Sequence, residues 1–93
     1  SAVPAERPHI AGVILRRWQN NMLLQIDPTV IYALGERYTG HITKDDLKVK
    51  SPYNTYLNKG LPPTPIASPG FSSLEAAMHP TTGDTLYYVS KGD

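Results

Sequence analysis

The sequence predicts an α+β domain, with short helices, a small β component and long ordered loops rich in proline. Apolar residues recur at helical spacing between residues 8 and 20. Nine prolines and seven glycines divide the 93 residues into short elements. Residues 85–90 are rich in β-formers and predict a strand. A chain of this length is sufficient for one small domain.

The first helix is predicted from Pro8 to about Asn20. Proline suits the first turn of a helix, where its missing N–H is not needed. Ile10, Ile14 and Trp18 share one face of this helix. We expect that face to pack against the rest of the domain, and the pair Asn20-Asn21 to end the helix.

A brief strand and a second helix are predicted next. Residues 22–26 form a short apolar stretch that suits an extended strand. Asp27-Pro28 is a strong helix start, with Asp27 as the N-cap and Pro28 at the first helical position. Gly35 follows the last apolar residue and is expected to end the helix.

Two further helix starts resemble capping boxes, in which the first and fourth side chains each accept a backbone N–H of the other residue. The first is Thr43 to Asp46, with aspartate in place of the usual glutamate, opening a short helix that ends before Pro52. The second is Ser72 to Glu75, opening a helix that stops at Pro80.

The segment 51–70 contains five prolines and is too long for an ordinary connection. It also contains Tyr53, Asn54 and Tyr56, whereas pure linkers are poorer in aromatic residues. We therefore predict an ordered functional loop. Aromatic faces and amides suit extended polar ligands such as sugars. The alternative is that the two tyrosines pack inward and fasten the loop.

Composition excludes several classes of function. No apolar run approaches the ~20 residues of a membrane-spanning helix, and the net charge of +1 comes with no basic stripe for nucleic acid. There are no cysteines, so disulfides and thiolate metal sites are excluded. His9, His41 and His79 lie far apart in sequence, and we predict no metal site.

The residues alone do not define a catalytic centre. No serine stands in a G-x-S-x-G motif, and no phosphate-binding glycine loop is present. Asp27, Asp45 and Glu75 have local capping roles, and Glu6 suits the first turn of a helix. A sugar-cleaving site needs a carboxyl group with a raised pKa, and nothing in the sequence identifies one.

A series of short motifs runs along nearly the whole chain: Leu24 to Tyr32, Tyr53 to Tyr56, Gly60 to Pro63, Pro65 to Gly70, Ser73 to Ala77, His79-Pro80 and Leu86 to Val89. In order and spacing they resemble the motifs of the YceG-like (MltG) family of endolytic murein transglycosylases. A chance match over this length is improbable. Thr64 departs from the glycine that the family favours near this point.

The resemblance implies cleavage of nascent peptidoglycan between N-acetylmuramic acid and N-acetylglucosamine, leaving a 1,6-anhydro end. One glutamic acid would protonate the leaving oxygen and then accept the proton of the muramyl 6-hydroxyl as that oxygen closes onto C1. Because no water attacks, no second carboxylate is needed. No cofactor is implied. By the resemblance, the chain is part of a larger catalytic domain truncated at both ends, and the unpaired C-terminal strand agrees with this.

By the resemblance, the catalytic glutamate directly precedes Ser1, and Glu6, a few positions later, is a second candidate. The 93 residues alone are therefore expected to be inactive. Substrate-binding roles are implied for residues in the matching motifs: Gln25, Asp27, Tyr53, Asn54, Tyr56, Ser68 and Glu75. The parent is expected in the bacterial inner membrane, with this domain in the periplasm. Peptidoglycan strands and the cell-wall synthesis machinery are the expected partners.

Two other functions compete with this interpretation. A non-catalytic carbohydrate-binding module would use the same tyrosine- and asparagine-containing loop. An older label of the family, aminodeoxychorismate lyase, would need a lysine bound to pyridoxal phosphate. The lysines all occupy polar, turn-like positions that suit exposure to solvent, which disfavours the lyase. They are Lys44, Lys48, Lys50, Lys59 and Lys91.

Overall fold

The computed structural model describes residues 8–78, which form three α-helices and two 3₁₀ helices. The α-helices are α1 (Pro8–Gln19), α2 (Asp27–Leu34) and α3 (Pro69–Met78), and the 3₁₀ helices are Gly35–Arg37 and Asp46–Lys48. Residues 8–78 contain no strand, so the β component of the predicted fold is not found there. The strand predicted at 85–90 lies outside the described residues. No helix in the described range is long and apolar enough to span a bilayer.

The first helix ends in a Schellman motif at the predicted asparagines. Asn21 adopts a left-handed conformation with φ of 57°. The Asn21 N–H donates to the Trp18 carbonyl at 3.1 Å, and the Met22 N–H donates to the Arg17 carbonyl at 2.9 Å. These two bonds satisfy carbonyl groups that the end of a helix otherwise leaves without partners. The predicted end of α1 is therefore confirmed.

The predicted strand at residues 22–26 is wrong. The segment has no ladder of backbone hydrogen bonds; its Gln25 N–H donates to the Thr55 carbonyl at 3.2 Å, and its Ile26 N–H donates to a side chain, Thr55 Oγ1. Gln25 has φ of 52°, in the left-handed region. An extended strand cannot continue through that conformation.

The second helix begins one residue earlier than predicted. Asp27 is its first residue and Ile26 occupies the N-cap position, with no side-chain capping bond. The prediction of Asp27 as the N-cap is therefore wrong in its detail, and the carboxylate is left for other contacts. Gly35 ends the helix as predicted, with φ of 58° and its N–H donating to the Ile31 carbonyl. This conformation favours glycine.

The core lies between α1, the 22–26 segment, α3 and the end of the proline-rich loop. Its buried apolar side chains form one cluster: Ile14, Leu24, Ile26, Ile66, Phe71, Leu74 and Met78. The apolar face of α1 is only partly covered, because Ile10 and Trp18 remain 52% and 36% exposed. Ile10 on this exposed strip lines a cavity of about 650 Å³.

The third helix starts three residues before the predicted capping box at Ser72 to Glu75. Its first residue is Pro69, and the N–H groups of Phe71 and Ser72 donate to the Ser68 carbonyl. The capping-box prediction is therefore wrong, because Ser72 to Glu75 lie within the helix. Glu75 is fully buried there, which is unusual for a glutamate.

The other capping box is confirmed. The Thr43 N–H donates to Asp46 Oδ2 at 2.9 Å, and the Asp46 N–H donates to Thr43 Oγ1 at 3.1 Å. The 3₁₀ helix that follows ends at Lys48, before Pro52 as expected. Aspartate thus replaces glutamate in this motif with the reciprocal bonds intact.

Candidate functional site

Two buried threonines fasten the proline-rich loop to the start of α2. Thr29 is fully buried and Thr55 is 2% exposed. The Thr29 hydroxyl donates to the Ile26 carbonyl at 2.6 Å, and the Ile26 N–H donates to Thr55 Oγ1 at 2.8 Å. The two hydroxyl oxygens are 2.8 Å apart. Because the Thr29 proton is already used, the Thr55 hydroxyl donates to Thr29, which closes a ring of hydrogen bonds.

This ring positions the residues next to it, Asp27 and Tyr56. The Tyr56 hydroxyl donates to Asp27 Oδ1 at 2.6 Å, a short bond typical of a charge-assisted contact. Burial of the phenol, followed by the hydrogen bond and the negative charge of Asp27, raises the pKa of Tyr56 to about 12. Tyr56 therefore remains a neutral hydrogen-bond donor throughout the physiological pH range.

The Asp27–Tyr56 pair lies at the edge of a cavity of about 650 Å³ between α1, the start of α2 and the start of α3. Ile14, Phe71 and Leu74 contribute apolar surface to it. Its polar lining consists of His9, Arg17, Gln25, Asp27, Tyr56 and Ser68. A largely apolar cavity with a few convergent polar groups is the usual form of a ligand site.

Backbone strain is concentrated at the border of this cavity. Gln25 and Ala67 both have positive φ, at 52° and 60°. For a residue with a β-carbon, this conformation costs about 1 kcal/mol or more in conformational free energy. Gln25 itself lines the cavity, and Ala67 directly precedes Ser68, which also lines it. Since strained residues persist where the surrounding structure holds them, both positions indicate a site whose geometry matters.

Arg17 supplies a positive charge to the same cavity. Its Nη1 donates to the Leu24 carbonyl at 3.2 Å, which ties α1 to the 22–26 segment. The positive charge also lowers the pKa of Tyr56, although burial and Asp27 outweigh this effect. A guanidinium group has five N–H donors, so the contact with Leu24 leaves others available for a ligand.

Four of the seven substrate-binding candidates line the large cavity: Gln25, Asp27, Tyr56 and Ser68. The structure brings them together from three separate motifs. Glu6 and the position before Ser1 lie outside the described residues. Within residues 8–78 no group of three or more histidine, aspartate or glutamate side chains could hold a metal ion.

The other three candidates lie away from this cavity. Asn54 is fully buried, and its side-chain amide bonds the carbonyls of Leu47 and Val49 and the N–H of Tyr56. Tyr53 packs its ring against Tyr32, with ring centroids 4.7 Å apart. Its hydroxyl lies 2.8 Å from Thr64 Oγ1.

These contacts give Asn54 and Tyr53 structural roles in the loop. For Tyr53, this agrees with the alternative in which the tyrosine packs inward and fastens the loop. Thr64 is the hydrogen-bond partner of Tyr53. Glu75 is buried within α3 and does not line the cavity.

Sequence reasoning missed Arg17, Thr29 and Thr55. The two threonines are 26 residues apart, and no local pattern signals that they meet. Arg17 lies in α1 outside every motif that the sequence offers. A weak signal did exist, because Thr29 and Thr55 both lie inside the motifs used for the family resemblance.

Comparisons with known proteins agree with these motifs. The whole chain, residues 1–93, matches the YceG-like family. A Bacillus subtilis protein named endolytic murein transglycosylase is 48% identical over 89 residues, covering 96% of this chain and 24% of the relative. A Streptococcus pneumoniae protein of the same name is 35% identical, covering 91% of this chain and 16% of the relative. The chain thus spans a quarter or less of the length of these relatives.

A solved structure supports the same relationship. The crystal structure of a yceG-like protein from Listeria monocytogenes superimposes with a TM-score of 0.60 at 55% sequence identity. The alignment covers 84% of this chain and 25% of that protein. At this identity the similarity extends to sequence as well as to the fold.

Proposed function

Since this chain belongs to the YceG-like family, we propose that it forms the substrate-binding wall of an endolytic murein transglycosylase. The observation that carries the proposal is the Asp27–Tyr56 pair at the edge of a large cavity, together with Gln25 and Ser68. These groups supply hydrogen-bond donors and acceptors, and Asp27 is the one carboxylate among the described residues that line the cavity. Such a set suits the hydroxyl and amide groups of a glycan.

In the proposed reaction, one glutamic acid on the segment preceding Ser1 performs both proton transfers. It protonates the glycosidic oxygen as the bond to C1 breaks, and then accepts the proton of the muramyl 6-hydroxyl as that oxygen bonds to C1. The product carries a 1,6-anhydro end, and the protonated glutamic acid is regenerated. His9 and Ile10, in the first turn of α1, line the cavity. The N-terminal end of α1 is therefore the end from which an upstream acid would reach the substrate.

The role of this chain is to hold the sugar rather than to cleave it. Asp27 accepts a hydrogen bond from Tyr56 through Oδ1, which restricts the carboxylate, and Oδ2 can accept a hydrogen bond from a sugar hydroxyl. Orienting the substrate in this way converts binding energy into rate. We also propose the extracytoplasmic location, the membrane-anchored parent and the contact with the cell-wall synthesis machinery that the family resemblance implies.

The test uses a chimera in which these 93 residues replace the matching segment of the Bacillus subtilis relative. Incubated with nascent peptidoglycan, the chimera should release fragments with 1,6-anhydro ends, detected by mass spectrometry. Asp27→Asn should lower kcat/KM by about 10- to 100-fold, the loss expected for one hydrogen bond to a charged group. Asp45→Asn, which changes an exposed carboxylate outside the cavity, is the matched control and should have no effect.

A folded chimera that binds glycan strands but releases no fragments would contradict the enzyme proposal. That result would favour the competing function, a non-catalytic peptidoglycan-binding module. Equal losses in Asp27→Asn and Asp45→Asn would show that the cavity is not where the substrate lies.

A further inference from the structure

A second, smaller cavity adjoins the first one and contains an exposed aromatic ring. Its volume is about 290 Å³, and it is lined by Pro28, Ile31, Tyr32, Ile66 and Ser68. Pro28 and Ser68 line both cavities. The two cavities are therefore neighbours that meet at these two residues.

The ring of Tyr32 is exposed but held in place. Tyr32 is 46% exposed on α2, and its ring lies against Tyr53 at a tilt of 52°. Tyr53 is in turn fixed through its hydroxyl, 2.8 Å from Thr64 Oγ1. A solvent-facing aromatic ring supported in this way gives a large contact area and has little side-chain entropy left to lose on binding.

The walls of the smaller cavity define the chemistry of the ligand. Pro28, Ile31 and Ile66 present hydrocarbon, and Ser68 adds one hydroxyl group at the junction with the larger cavity. An N-acetylated sugar matches this surface, because its flat C–H face can stack on an aromatic ring and its acetamido methyl group can enter an apolar recess. A free sugar hydroxyl would gain nothing from the three hydrocarbon side chains.

We propose that Tyr32 and the smaller cavity form an additional subsite for an N-acetylated sugar, one position along the glycan from the sugar bound at Asp27 and Tyr56. The proposal rests on the proposed function, since it takes the larger cavity as the first glycan site. It gives Tyr32 a role in binding long strands, with Tyr53 and Thr64 as the residues that position it.

The first experiment measures binding of β-1,4-linked N-acetylglucosamine oligomers to the 93-residue chain by NMR titration. The tetramer should bind more tightly than the dimer, and Tyr32→Ala should weaken tetramer binding by about 10-fold, as for loss of one stacking contact. Binding of the dimer should change by less than about 2-fold, if the larger cavity is the first site. Tyr32→Phe keeps the ring and should bind like the unchanged chain, and cellotetraose, which lacks acetamido groups, should show no dependence on Tyr32.

Two further variants separate binding from folding. Tyr32→Leu retains apolar volume against Tyr53 but has no flat ring, so it should lose tetramer binding with an unchanged helical circular-dichroism spectrum. Leu57→Ala removes a side chain of similar exposure, 47%, that lines neither cavity, and should leave binding unchanged. The proposal is overturned if the unchanged chain does not bind the tetramer, if Tyr32→Ala binds it normally, or if Leu57→Ala is as weak as Tyr32→Ala.

The chimera with the Bacillus subtilis relative distinguishes this inference from the proposed function. If the chimera cleaves peptidoglycan and Tyr32→Ala leaves its preference for long strands unchanged, the subsite is overturned and the enzyme stands. If the chimera cleaves nothing, but the tetramer still binds the 93-residue chain in a Tyr32-dependent way, the subsite stands and the enzyme proposal fails.

Discussion

Two neighbouring regions of the molecule are held in place in different ways. The Thr55–Tyr56 segment of the proline-rich loop is fixed to the start of α2 by side-chain bonds that join residues 26 to 29 positions apart. The region around Asn54 and the Thr43–Asp46 capping box is held by bonds between residues two to seven positions apart. The distant contacts build the candidate site, whereas the nearby contacts shape the loop that carries it.

The largest effect is expected at the distant contacts. Thr29→Val keeps the shape of the side chain but removes a hydroxyl group that contacts both Ile26 and Thr55. It should lower the free energy of unfolding by about 3 kcal/mol, because buried polar groups lose their partners. Urea unfolding measures the change. Thr29→Ser, which retains the hydroxyl group, and Thr39→Val, which changes an exposed threonine, should each lower the free energy of unfolding by less. If Thr39→Val lowers it as much as Thr29→Val does, the ring of hydrogen bonds is not the cause.

This contrast also explains what the sequence could predict. The Thr43–Asp46 capping box, the end of α1 at Asn21 and the end of α2 at Gly35 follow from local chemistry, and all three are confirmed. The predicted strand at 22–26 failed because apolar content gives no information about the left-handed conformation of Gln25. That conformation coincides with the contact between Gln25 and Thr55, which is set by tertiary structure.

The start of α3 shows the same limit for a local motif. The residues from Ser72 to Glu75 match the sequence pattern of a capping box, but the helix begins at Pro69. The Ser68 carbonyl accepts hydrogen bonds from the first N–H groups of the helix. The preference of proline for the first helical position therefore determined the start of α3, and the serine motif did not. The motifs of the family resemblance contain Gln25, Asp27, Tyr56 and Ser68, and only the fold shows that these residues share one cavity.

The next largest effect is expected at Asn54, whose amide bonds three backbone groups of the loop. Asn54→Ala should cost about 2 kcal/mol in the free energy of unfolding, at about 1 kcal/mol per bond with some replacement by water. Asn58→Ala is the matched control, since that exposed amide lies four positions later. Hydrogen exchange should show faster exchange of the Tyr56 N–H in Asn54→Ala alone; unchanged exchange would contradict the contact.

A smaller effect is expected at the capping box. Thr43→Ala removes the acceptor of the Asp46 N–H and should cost about 1 kcal/mol, as typical for a lost cap. Thermal unfolding followed by circular dichroism measures the change. Because this region is held locally, the variant should leave glycan binding intact. A loss of binding equal to that of Asp27→Asn would mean that the capping box and the candidate site are coupled.

The smallest effect on stability at neutral pH is expected for Tyr56→Phe, about 0.5 kcal/mol, because its hydrogen bond to Asp27 is partly open to solvent. Its main consequence lies in the pH dependence. The pKa of Tyr56 in the folded chain is about 12, against an ordinary value of 10.0. The stabilisation is therefore fully present below pH 10 and is lost as the pH rises from about 10 to about 12.

Ultraviolet absorbance of ionised tyrosine measures this titration directly. Tyr56 should ionise later than an ordinary tyrosine, and Tyr56→Phe should remove that late step. Asp27→Asn should move the step to lower pH, because it removes the negative charge that opposes ionisation. If the late step survives in Tyr56→Phe, then Tyr56 is not the tyrosine with the raised pKa. The hydrogen bond from Tyr56 that orients the Asp27 carboxylate at the polar end of the proposed glycan site would then be contradicted.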